Sequence, residues 1–87
     1  MHHNRQAGYL VTAHPTPPAL PQILALFGEQ GHVPMRSRSR MLGQLLQVEI
    51  DIASLTDGEA AALAERLRQL PTVTTVRLEQ MEWGKAA

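Results

Sequence analysis

A chain of 87 residues is enough for one domain and too short for two. It contains no cysteine, so neither a disulfide nor a thiolate zinc site can reinforce so small a core. Eight basic residues balance eight acidic ones, and the excess of Lys and Arg that marks a phosphate-binding surface is missing, so nucleic acid is not an expected partner.

No run approaches the ~18 consecutive apolar residues of a membrane span. The start, Met1-His2-His3-Asn4-Arg5, lacks the apolar stretch of a secretory signal, which points to a cytoplasmic protein with no membrane partner. Residues 1–8 read as a flexible arm, and His2-His3 is too short for a metal tract. The remaining route to stability for a small domain is association with another chain, and a homodimer is expected.

The ordered part, residues 9–80, opens with a short strand over residues 9–14, carried by Leu10, Val11, Thr12 and Ala13. Pro15, Pro17, Pro18 and Pro21 then crowd one place. Proline is tolerated in the first turn of a helix, where the N–H groups have no partner inside the helix, so a helix starts near Pro18. Leu20, Ile23, Leu24 and Phe27 recur at i, i+3, i+4, i+7 and form one apolar stripe. Gly31 stands where a left-handed residue closes a helix, which therefore ends near Gln30.

A strand hairpin follows over residues 33–52. Leu46, Val48, Ile50 and Ile52 alternate with Gln47, Glu49 and Asp51, giving one buried face and one wet face. The preceding strand, residues 33–40, joins it through Met41-Leu42-Gly43. By the period of two, Arg36, Arg38 and Arg40 share one face while Val33, Met35 and Ser37 share the other. Matching the apolar faces places the arginines on the wet side with Gln47 and Glu49.

Thr56-Asp57-Gly58-Glu59 has the spacing of a capping box and starts a second helix. Leu63, Leu67 and Leu70 lie on one face of it, with Ala60 and Ala64 beside them, and Pro71 stops it. Val73, Val76 and Leu78 mark a last strand to residue 80, expected at a sheet edge. Residues 81–87 form a tail whose one large apolar residue is Trp83. The order βαββαβ predicts an α+β, ferredoxin-like sandwich, a four-stranded antiparallel sheet with both helices on one face.

Fold does not settle function, so the chemistry must come from the residues. His14 and His32 are the candidate metal ligands or bases, but about twelve helical residues separate them by roughly 18 Å within one chain. Solvated turn histidines are the simpler reading, and no metal site is expected. The arginine row could serve as an anion or RNA stripe. Sheets that bind RNA stack bases on exposed aromatics, and here Tyr, Phe and Trp number one each. A salt-bridged or interface face fits better. No carboxylate pair, nucleophile with a base beside it, or glycine-rich phosphate loop is present, so neither a catalytic residue nor a cofactor is expected.

Three stretches carry a family resemblance. The helix-to-strand segment Leu20-Pro21-Gln22-Ile23-Leu24-Ala25-Leu26-Phe27-Gly28-Glu29-Gln30-Gly31-His32-Val33 resembles the ACT domains of acetolactate synthase (acetohydroxyacid synthase) small subunits. Leu46-Gln47-Val48-Glu49-Ile50-Asp51-Ile52 is similar to their third strand, and Leu70-Pro71-Thr72-Val73-Thr74-Thr75-Val76 to the start of their fourth. The size resembles the short type found with the isozyme II enzyme.

The resemblance implies a non-catalytic regulatory subunit that activates a thiamine-diphosphate-dependent catalytic large subunit in branched-chain amino acid biosynthesis. In the βαββαβ topology the second strand is a sheet edge, which invites pairing with a second copy, so the expected dimer runs through Val33, Met35, Arg36, Ser37 and Arg38. By the resemblance, a branched-chain amino acid effector would sit across that dimer, between His14, Thr16, Ala19 and Leu20 of one protomer and Gly31, His32 and Val33 of the other. Where the family loop reads Asn-x-x-Gly, this chain has Pro15 and Pro18, so the resemblance implies the scaffold more firmly than the effector. A free-standing amino-acid-sensing ACT module for another enzyme, and a small RNA- or anion-binding ferredoxin-like domain, are the alternative readings.

Overall fold

A computed structural model describes residues 5–53 and 55–82. Its elements run β1 (Arg5–Ala13), α1 (Ala19–Glu29), β2 (Arg36–Leu42), β3 (Leu45–Ala53), α2 (Asp57–Arg68) and β4 (Val73–Glu82). The strands form one antiparallel sheet in the order β2-β3-β1-β4. This is the expected ferredoxin-like plan, with β2 and β4 as the two edges.

Period-two alternation decides which side of the sheet carries the core. Tyr9, Val11 and Ala13 of β1 and Val48, Ile50 and Ile52 of β3 are buried toward the helices. Against them pack Ile23, Leu26 and Phe27 of α1 and Ala60, Leu63, Ala64 and Leu67 of α2. The Tyr9 and Phe27 rings meet edge to face, with centroids 5.3 Å apart.

Both helices end as their sequences dictate. Pro18 is the N-cap of α1, and Pro21 lies in its first turn. At the other end Gly31 takes φ 81°, while His32 N donates to the Phe27 carbonyl and Gly31 N to that of Gly28. This pair of bonds satisfies carbonyls that the helix itself cannot. In α2 the Thr56 side chain accepts from Glu59 N at 3.1 Å, and the Glu59 carboxylate accepts from Thr56 N at 3.0 Å. α2 stops at Arg68, two residues before the expected Leu70, which still packs against the core from the tightened last turn.

The strand boundaries depart from expectation in three places. β1 begins at Arg5, so residues 5–8 belong to the sheet instead of a flexible arm. Its pairing on both sides explains this, since Gly8 lies opposite Asp51 of β3 and Glu79 of β4. β2 begins at Arg36, which leaves Val33 outside it and 85% exposed. The hairpin turn is Gly43-Gln44, with Leu42 opposite Leu45 and Gly43 at φ 64°. β4 continues to Glu82, past the expected end at residue 80. The expectations about His2-His3, the rest of the arm before Arg5, and Trp83 lie outside the described residues.

Candidate functional site

The helices leave the opposite sheet face open, and the register fixes what stands on it. One row across the sheet reads Arg36, Asp51, Gly8, Glu79, and the next reads Arg38, Glu49, Leu10, Arg77. A third reads Arg40, Gln47, Thr12, Thr75. The arginines of β2 thus face the wet residues of β3, as the alternation predicts.

Each arginine reaches its opposite neighbour. Arg36 sets Nε and Nη2 on one oxygen of Asp51, at 3.1 and 3.0 Å. Arg38 holds Glu49 Oε1 in the same way, at 3.2 and 3.1 Å. Arg40 Nε donates to Gln47 Oε1 at 3.1 Å, so it meets an amide instead of a carboxylate. Because these pairs are exposed, each contributes at most about 1 kcal/mol. Their larger effect is to fix three guanidinium groups in a row.

The first two rows enclose a shallow depression of about 290 Å3, to which β4 contributes Arg77 and Glu79. Its floor is Gly8, where an added Cβ would stand 3.3 Å from Asp51 Oδ1. Sequence reasoning singled out the β2 arginines but missed Gly8, Leu10, Arg77 and Glu79. Period-two alternation reveals faces, whereas bringing β4 beside β1 and β1 beside β3 is a matter of sheet order.

The expected effector residues occupy two separate places within one protomer. His14, Thr16, Ala19 and Leu20 lie at the end of β1 and the start of α1; Gly31, His32 and Val33 lie beyond the other end of that helix. Eleven helical residues keep the two groups roughly 16 Å apart. Ala19 is fully buried and so presents no surface to a ligand. Hydrogen bonds from Thr56 hold the Glu59 carboxyl below its ordinary value, with a smaller contribution from His32.

Few amide donors are open at the start of α1. Ala19 N already donates to the Thr16 carbonyl, Gln22 N to that of Pro18, and Pro21 has no N–H. Among the described residues this leaves the Leu20 amide as the one first-turn donor without a backbone partner. Next to this loop His14 N donates to the Thr72 carbonyl at 2.8 Å, while Thr72 Oγ1 is buried without a partner. Among the described residues no three His, Asp or Glu side chains gather as a metal site would require. Among the described residues no helix is long and apolar enough to cross a membrane.

A family model for an ACT-like domain matches residues 2–84. The chain belongs to the ACT-like domain family. The ACT part of the sequence resemblance is thereby established. No curated protein matches the chain by sequence.

Among solved structures, this ACT-like domain is similar to the ACT domain from the GTP pyrophosphokinase of Chlorobium tepidum, with a TM-score of 0.77 and 14% identity over 87% of this chain and 99% of that one. It is also similar to the C-terminal domain of the MgtC protein from Mycobacterium tuberculosis, with a TM-score of 0.72 and 15% identity over 95% of this chain and 94% of that one. A third likeness is to a formyltetrahydrofolate deformylase from Pseudomonas putida KT2440 (TM-score 0.59, 13% identity), where 87% of this chain covers 28% of that one. At these identities the likeness concerns the fold.

Proposed function

We propose that this ACT-like domain is a non-catalytic regulatory module that dimerises along β2 and controls a separate catalytic chain. The observation that carries this reading is the contrast between the two sheet edges. All seven residues of β2 are exposed, and Met35, Met41, Leu42 and Leu45 at its two ends are exposed large apolar residues. An edge left in that state invites a second strand. β4, by contrast, is tied to α2: Arg68 Nη2 donates to the Val76 carbonyl at 3.2 Å, and Gln80 Nε2 to Asp57 Oδ1 at 2.8 Å.

A two-fold pairing of β2 strands also reunites the two halves of the expected effector site. Ala13, Leu46 and Met41 share one row, so β1 delivers His14 at the end of the sheet where β2 finishes. Antiparallel pairing brings the start of the partner's β2, with its Gly31, His32 and Val33, to that same end. Val33, Met35, Arg36, Ser37 and Arg38 would then line the seam.

The partner enzyme we propose is the catalytic subunit of acetolactate synthase. Support comes from the resemblance of residues 20–33, 46–52 and 70–76 to its small subunits. Co-expression of the two chains tests this. Co-purification and a rise in acetolactate synthase activity are expected. A stable dimer that neither binds nor activates that subunit would move the assignment to the second reading, a free-standing sensing module for another enzyme.

A further inference from the structure

Pairing β2 with a second copy of itself has a consequence for charge, and the inference drawn from it rests on the dimer proposed above. Residues directly opposite in an antiparallel ladder point to the same face. Two β2 strands related by a two-fold axis therefore set arginine against arginine on the open face for every axis from Arg36 to Arg40. The apolar residues select among the registers. An axis at Arg38 places Met35, 48% exposed, opposite the partner's Met41, 54% exposed. Moving the axis by one residue sets Met35 against the partner's Gly43 or the partner's Ser39 instead; in the second case Met41 meets the partner's Val33, which lies outside β2 and so outside the ladder. With the axis at Arg38, Arg36 lies opposite the partner's Arg40, and the two copies of Arg38 face each other.

Like charges placed directly opposite repel. Each protomer brings three arginines to this seam and only two carboxylates, Asp51 and Glu49, against them. Among the described residues Arg40 is the one β2 arginine without a carboxylate against it, its Nε donating to the Gln47 amide. A second concavity of about 270 Å3 lies beside it, lined by Arg38, Ser39, Arg40, Gln47 and Glu49. A guanidinium offers a planar fork that matches the oxygens of phosphate, two at a time.

We propose that the joined β2 strands form an oxyanion site of the phosphate class, in which Arg40 of one protomer and the partner's Arg36 share the ligand. The two-fold axis gives two such sites, and neither is complete in a single chain. Occupancy offsets the repulsion across the seam, so the anion and the dimer strengthen each other by linkage.

Sedimentation of the full chain tests this, with sodium phosphate compared against sodium chloride at matched ionic strength and pH, since simple screening would act equally in both. The dimer dissociation constant should fall roughly tenfold in phosphate relative to chloride. Arg40→Gln should dimerise equally in the two salts, and at least as tightly as the wild type does in chloride; far-ultraviolet circular dichroism confirms that it folds. A parallel arm with a nucleoside diphosphate distinguishes a free ion, for which phosphate suffices, from a phosphate carried on a larger ligand, for which only the diphosphate acts. Equal wild-type constants in every salt, or a difference retained in Arg40→Gln, would overturn the oxyanion site while leaving the dimer standing. A monomer under all conditions at high micromolar concentration would overturn the β2 pairing itself.

Discussion

Tyr9 shows how one side chain can join distant parts of a short chain. Its ring packs on Phe27, and its hydroxyl donates to the Ala60 carbonyl at 2.9 Å, so β1, α1 and α2 meet at one residue. Burial pushes the phenol up from 10.0 to about 12. A pKa raised on folding means that the unfolded chain loses its proton first, so the stability is intact below pH 10 and drains away as pH rises toward 12. Tyr9→Phe should cost about 0.5–1.5 kcal/mol at neutral pH through the lost hydrogen bond. In the variant this contribution to alkaline unfolding should vanish; urea titrations at pH 7 and pH 11 measure both effects. Thr72 presents the opposite case, a buried hydroxyl that bonds to nothing. Replacing it with a methyl group of similar shape removes the desolvation penalty, so Thr72→Val should leave the melting temperature unchanged or raised. A fall of several degrees would mean that the hydroxyl has a partner.

At the scale of elements, what the sequence reveals depends on how local the cause is. Both helices are legible because their caps are written within a few residues: prolines and Gly31 bracket α1, and Thr56 with Glu59 opens α2. β3 is legible because its alternation is complete. The start of β1 is not, since Arg5-Gln6-Ala7-Gly8 has no apolar alternation, and only pairing with β3 and β4 makes it a strand. The start of β2 misleads in the other direction, because apolar Val33 and Met35 look like strand yet precede it. The arginine face was readable by its period of two, whereas the depression over Gly8 depends on β4, some seventy residues further along the chain. Thr56→Ala should cost about 0.5–2 kcal/mol as the cap is lost. Leu67→Ala, which empties a fully buried position, should cost about 2–5 kcal/mol. Chemical denaturation ranks them, and a cap mutation that proved the more damaging would contradict the packing of α2. Hydrogen bonds from the Thr56 backbone and side chain, with a smaller effect of His32, lower the Glu59 pKa. The cap is therefore intact above the ordinary value of 4.5 and weakens as pH falls through the lowered one, and Thr56→Ala should flatten that part of the acid-unfolding curve.

For the whole molecule, if two copies pair along β2 as proposed, the ends of that dimer would be the place for an amino-acid effector. An amino-acid effector needs a carboxylate anchor, and a helix N-terminus supplies one through its free amides. Here Pro18 and Pro21 carry no N–H, Ala19 N is already spent on the Thr16 carbonyl, and the Leu20 amide is left. By the resemblance to acetolactate synthase small subunits, Pro15 would stand where their loop places an asparagine. The proposed shared site would thus have few polar groups left to hold an amino acid. Valine, leucine and isoleucine should accordingly bind the dimer weakly or not at all, with dissociation constants of about 1 mM or above, the range left when a small polar ligand makes few good hydrogen bonds. Calorimetry on the purified chain measures this. A saturable isotherm in the micromolar range would show that the prolines do not disable the pocket, and the module would then act by feedback from an amino acid. A flat isotherm alongside activation of a catalytic partner would mark a module that works through assembly, with control passing to the β2 seam.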